Sequence, residues 1–96
     1  MQKTKILKLK TRTVPNKMIV TVRRASSIKN TQRIGRMDPY CVVRCGRRSL
    51  RTRIKSGGGI NPVWEQQLPT FVDVNGQPDV TFKVYNKRTL VSDTLI

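Results

Sequence analysis

Six cations stand between positions 44 and 55 with no acid among them: Arg44, Arg47, Arg48, Arg51, Arg53 and Lys55. A guanidinium grips phosphate or carboxylate oxygens through two parallel N–H bonds, which an ammonium does not do. The run is therefore a candidate docking site for an anionic surface. The plainer alternative is a solvated strand face whose charges blunt an edge. Like charges in such number repel one another unless something neutralises them, and this weighs toward binding. Catalysis finds little to work with. There is no histidine, no paired base and nucleophile, and no carboxylate dyad among the 5 acidic residues. Gly57-Gly58-Gly59 lacks the Gly-Lys-(Ser/Thr) ending of a phosphate loop and reads as a flexible turn. Cys41 and Cys45 fall four apart on one predicted strand, ~13 Å of chain, too far for a disulfide. They read as buried, reduced thiols. Without histidine or a Cys-x-x-Cys pair, zinc has no ligand set. No cofactor is expected.

The charge is extreme and lopsided. The chain has 20 Lys+Arg against 5 Asp+Glu, net +15. Residues 1–55 carry a net +16 and residues 56–96 a net −1. Anionic lipid, nucleic acid and an acidic protein surface all suit such a half. Nucleic-acid modules interleave rings with cations so that bases can stack. Here Trp64, Phe71, Phe82 and Tyr85 lie outside the basic half and only Tyr40 lies within it, which argues against nucleic acid. No apolar run reaches transmembrane length, and no signal-peptide stretch is present. Reduced cysteines suit the cytoplasm.

The elements that must position these residues read as strands of one small domain. Residues 5–12 alternate as a basic edge strand, with a disordered basic arm as the rival reading. Val14-Pro15-Asn16 gives a turn. Residues 18–23 are nearly all β-branched and form the clearest strand. Residues 25–37 form a loop by composition. Tyr40–Cys45 and Leu50–Lys55 follow as two strands joined at Gly46, with Leu50, Thr52 and Ile54 opposite Arg51, Arg53 and Lys55. Ser56–Gly59 is a loop, and Asn61-Pro62 a turn. Trp64 is the one large ring available to close a core. Residues 68–74 make a strand broken by Pro69, Asn75-Gly76 a turn kept open by Pro78, and residues 80–85 a sixth strand. Residues 86–96 begin a loop.

Four motifs in order give this chain a family likeness. They are Val20-Thr21-Val22-Arg23-Arg24-Ala25, Gly35-Arg36-Met37-Asp38-Pro39-Tyr40, Asn61-Pro62-Val63-Trp64-Glu65 and Val84-Tyr85-Asn86. In this order and spacing they resemble a C2 domain over residues 18–96. The resemblance implies an all-β fold, an antiparallel Greek-key β-sandwich of eight strands. Six are legible, so the domain is expected to be C-terminally incomplete. Residues 1–17 are expected to be a basic segment that supplies the first strand. Open edges and apolar faces would follow from two missing strands.

Many C2 domains bind calcium through five loop carboxylates. By position those ligands fall here on Gln32, Asp38, Asn86, Arg88 and Thr94, with Asp93 in place of Thr94 after a one-residue shift. Asp38 and Asp93 are thus vestigial, and Arg33, Arg36, Lys87 and Arg88 repel a cation, so calcium binding is not expected. Asp38 is expected to cap loop N–H groups instead. In some C2 domains the matching basic strand binds phosphoinositide headgroups. The expectation is a non-catalytic module docking without calcium on anionic phospholipids, at the cytoplasmic membrane periphery. The alternative is a protein-interaction module with acidic neighbours in a cytoskeletal or ciliary scaffold.

Overall fold

The computed structural model describes residues 6–14, 16–32, 34–74, 79–89 and 91–96. Expectations about Lys3, Lys5, Pro15, Arg33, Asn75-Gly76 and Pro78 lie outside the described residues. Eight strands are present among the described residues: β1 (Ile6–Val14), β2 (Asn16–Ser26), β3 (Pro39–Cys45), β4 (Arg48–Arg51), β5 (Val63–Gln67), β6 (Phe71–Val74), β7 (Val80–Asn86) and β8 (Thr94–Leu95). They form two antiparallel sheets. In the first, β1 and β5 flank β2, and β6 pairs with the start of β2. In the second the order is β4-β3-β7-β8.

Alternation decides which side chains meet between the sheets. Met18, Val20, Val22 and Ala25 of β2 turn inward with Trp64, Leu68 and Phe71. Cys41, Val43 and Cys45 of β3 and Val84 of β7 face them, so both thiols are buried. Leu7, Leu9, Leu50, Phe82 and Ile96 pack at the margin of this core. Burying a side chain of this class contributes about 1.5–3 kcal/mol relative to exposure. Trp64 closes the core as its size suggests, and its indole N–H donates to the Pro39 carbonyl at 3.1 Å. A buried indole needs such a partner.

Three segments depart from the sequence reading, each for a local reason. The strand expected at residues 50–55 ends at Arg51. Alternation continues past it, but the Thr52 hydroxyl accepts the Cys41 N–H at 2.9 Å, where a ladder carbonyl would otherwise stand. The strand expected at 68–74 begins only at Phe71, as β6, and a strand that was not expected, β5, precedes it along β2. The break falls at Leu68-Pro69-Thr70, because Pro69 has no N–H to give, and Leu68 N–H bonds Val20 O at 2.9 Å. The tail expected to be loop carries β8, where Tyr85 pairs with Leu95 and Asn86 with Thr94. Ile96 N–H adds a bond to Val84 O at 2.8 Å.

The Asn61-Pro62 turn works as a clasp. Asn61 Oδ1 accepts from Ser27 N–H at 3.0 Å, and Pro62 O accepts from Ala25 N–H at 3.0 Å. The long connection from β2 to β3 is held too. Ile28 and Met37 are buried, and Ile28 N–H donates to Ile60 O at 3.1 Å. In the facing glycine loop, Gly57 and Gly59 sit at φ of 68° and 64°, which favours glycine.

Candidate functional site

At one end of the sandwich the connection before β3, the glycine loop and the segment after β7 converge. Three of the five positions matched to calcium ligands, Gln32, Asp38 and Asn86, are joined here in one hydrogen-bond network, and the other two, Arg88 and Thr94, bond each other at 3.3 Å. Asn86 is buried, at 1% exposure. Its Oδ1 accepts from Asp38 N–H at 2.8 Å, and its Nδ2 donates to Gln32 Oε1 at 2.9 Å and Thr31 Oγ1 at 3.4 Å. Asp38 Oδ1 accepts from Gly57 N–H at 2.8 Å, the loop-capping role expected of it. Asp93 lies in a separate network. Its Oδ2 accepts from the Tyr40 hydroxyl, and its Oδ1 accepts from Arg88 N–H at 3.0 Å and faces Lys87 Nζ at 3.5 Å. The Tyr40 bond, then the Arg88 N–H, and then Lys87 hold the Asp93 carboxyl below its ordinary range. Burial, then the bond to Asp93 and its charge, push the Tyr40 hydroxyl up to about 12. Among the described residues, no three His, Cys, Asp or Glu side chains stand close enough to share a metal ion.

The second sheet shows a different chemistry on its outer face. Cys41, Val43 and Cys45 turn inward, so Tyr40, Val42 and Arg44 turn outward. Cross-strand register completes the face: Val42 lies between Arg51 on β4 and Lys83 on β7, and Arg44 between Ser49 and Thr81. Arg44, Arg51 and Lys83 are all exposed. Arg51 stacks over the Tyr40 ring, 5.2 Å from its centroid, and Tyr40 stacks on Tyr85 at 5.6 Å. A cation over a ring is attracted by the ring's negative face, so Arg51 is held in place. A shallow groove of ≈ 540 Å³ crosses this face, lined by Arg44, Lys83, Tyr85, Val42 and one acid, Asp79.

The remaining cations of the run are spread out. Arg47 and Arg48 are exposed at the β3–β4 turn, where Arg48 pairs with Cys45. Lys55 is tied by its N–H to Pro39 O, at the opposite end of β3. Six residues of strand separate those ends, ~20 Å, more than one phosphate spans. Arg53 is turned toward the other sheet, where its Nη2 donates to Trp64 O at 2.6 Å and its N–H to Gln66 Oε1 at 2.8 Å. Lys83 escaped the sequence reading. Its outward position was legible from alternation with Val84, but its place beside Arg51 depends on strand pairing.

The described residues form a small all-β antiparallel sandwich with a converged loop end and a basic outer face. The chain belongs to the C2 domain family, whose model matches residues 16–96. It is 32% identical over 72 residues to a calcium-dependent lipid-binding protein of Arabidopsis thaliana, a match covering 74% of this chain and 14% of that protein. It is 34% identical over 58 residues to GTPase activating protein 1 of Oryza sativa, covering 60% of this chain and 34% of that one. The chain thus spans a minor part of the curated relatives it matches. In fold it is similar to a C2 domain of RIM from Drosophila, with a TM-score of 0.79, 20% identity, and coverage of 94% of this chain and 79% of that one. The corresponding C2 domain of RIM2 gives a TM-score of 0.70 at 18% identity, over 94% of this chain and 81% of that one. Among the described residues no helix is long and apolar enough to cross a membrane.

Proposed function

We propose that this C2 domain is a non-catalytic module that docks on anionic phospholipid bilayers, phosphoinositide-containing ones included, through the outer face of the second sheet and without calcium. The observation that carries the reading is the register-set trio of Arg44, Arg51 and Lys83 around Val42, with Arg51 held over Tyr40. Arginine and lysine near an anionic leaflet each contribute about 1 kcal/mol, so three of them give about 3 kcal/mol. Arg47 and Arg48 would extend the contact at one end of the face and Lys55 at the other. Arg53 would act from the sandwich edge. The name of the Arabidopsis relative, a lipid-binding protein, agrees with this ligand class. That name also says calcium-dependent, and here the donor set speaks otherwise. A hard cation needs a shell of oxygens. At the loop end, Asn86 presents N–H groups to Gln32 and Thr31, and Asp38 already accepts from Gly57. A module of this kind would work at the cytoplasmic periphery of a membrane.

The test is an amide spectrum titrated with anionic and with neutral lipid nanodiscs, chelator present throughout. Amides at Val42, Arg44, Arg51 and Lys83 should broaden with the anionic discs alone. The R44Q/R51Q/K83Q variant should lose that broadening. Calcium-dependent broadening, or none at this face, would overturn the reading. Binding that appears only with an added acidic protein would favour a scaffold role.

A further inference from the structure

A second row of cations lies on the other side of the molecule. Leu7 and Leu9 of β1 pack toward the core, which places Lys8, Lys10 and Arg12 on the outer face of the first sheet, all exposed. They recur every second residue, ~7 Å apart along the strand. Lys8 pairs with Arg24 of β2, which is exposed as well. Lys17, at the other end of β2 and of the same parity as Ile19, is exposed. Arg23 is bulged beside Arg24 and takes Glu65 at 3.2 Å. Edge protection accounts for charges on β1 alone. It does not account for Arg24 and Lys17, because β2 is an interior strand flanked on both sides.

We propose that the outer face of the first sheet is a second docking surface for an anionic bilayer, so that one domain holds two bilayers together. This rests on the bilayer reading of the opposite face. The described chain measures 46 × 32 × 22 Å, and the two faces lie across the thickness of the sandwich. One flat membrane cannot touch both. The occupant follows from the chemistry of the surface. The row is basic, so a second copy of the chain is repelled. The five aromatic residues lie in the core or on the second sheet, so no ring is present to stack a nucleic-acid base. A row of cations along one strand that continues onto its neighbour at Arg24 is matched by headgroups that diffuse to meet it.

Vesicles of phosphatidylcholine with phosphatidylserine, mixed with the protein and chelator, test this by light scattering and flotation. The wild-type protein should both float and cluster the vesicles. K8Q/K10Q/R12Q should abolish clustering while flotation and nanodisc broadening at Arg44, Arg51 and Lys83 persist. K29Q/R36Q/K87Q removes equal charge elsewhere and should cluster like the wild type. Clustering by K8Q/K10Q/R12Q at the wild-type level overturns the proposal. So does flotation without clustering at every protein-to-lipid ratio, or sedimentation showing that the free protein is a dimer. Failure of the earlier reading looks different: broadening at Lys8, Lys10 and Arg12 with none on the opposite face.

Discussion

Asn86→Asp is the most direct probe of the loop end. The change is nearly isosteric, and Oδ1 keeps the Asp38 N–H it accepts at 2.8 Å. The other side of the group reverses. Where Nδ2 donates to Gln32 Oε1 at 2.9 Å, a carboxylate oxygen would face an acceptor. Leaving buried polar groups unmatched costs about 1–3 kcal/mol, and more when one is charged. Thr31 Oγ1 can turn its proton to the new oxygen and offset part of this. We take about 3 kcal/mol, which in a domain of this size lowers Tm by ~12–24 °C. Burial raises the pKa of the new carboxyl above its unfolded value. The loss should therefore be full at neutral pH and shrink on acidification, because the protonated group can donate to Gln32 again. Thermal melts at two pH values, each with calcium and with chelator, measure all of this. Calcium should return none of the lost stability, because Asp38 remains bound to Gly57 and Asp93 to Tyr40. Recovery of the wild-type Tm in calcium would refute the argument, since it would mean that one added carboxylate completes a metal site.

Two further perturbations test the elements around the site. Asp93→Asn removes the negative charge and one of the two oxygens that accept from Tyr40 and Arg88, so the phenol absorbance transition should move from about 12 toward the ordinary tyrosine value; an unmoved midpoint would mean that the Asp93 charge does not help raise it. Asp93 has a folded pKa below its unfolded value, so its stabilisation of β8 is present at neutral pH and is lost as pH falls through the folded value. Thr94 and Leu95 amides should broaden on acidification ahead of the core, and in Asp93→Asn that pH dependence should vanish. Trp64→Phe removes one of the two donors to the Pro39 carbonyl, which keeps the Lys55 N–H, and leaves part of a fully buried site empty, so it should cost about 1–3 kcal/mol by denaturant unfolding; a cost within error of zero would mean that the sheets close over the gap.

The sandwich was legible where burial follows a period of two. Met18, Val20 and Val22, then Cys41, Val43 and Cys45, declare which face of each strand is inward before any partner is known. β5 was hidden because the Asn61-Pro62 turn signal runs directly into it, and its residues after Trp64 are Glu65, Gln66 and Gln67, which have little strand propensity. Its pairing comes from β2, through Thr21 with Gln67 and Val22 with Gln66. β8 has two residues and no pattern of its own. For the site, the run of cations was visible but its geometry was not. Arg44 and Arg51 meet Lys83 because Val42 pairs with both neighbours, a fact set by register across distant strands. Arg53 was counted with them, yet its guanidinium goes to Trp64 O on the other sheet, because the chain leaves the β3–β4 ladder at Thr52.

The loop end explains how a sandwich of this family can stand without a full set of carboxylates there. Where a metal ion would tie three loop segments through oxygen ligands, amide groups can tie them through donors and acceptors in pairs. Asn86 offers both in one side chain, and it joins Asp38 of the segment before β3 to Gln32 earlier in the same connection. Asp38 then reaches the glycine loop at Gly57, and its carbonyl accepts from Lys87 N–H at 3.0 Å. Every link is a neutral or singly charged hydrogen bond, each contributing about 0.5–3 kcal/mol net. Such a clasp does not depend on ion concentration. The cations that flank it, Arg36, Lys87 and Arg88, would oppose a bound calcium ion, whereas a clasp of hydrogen bonds places no second cation beside them.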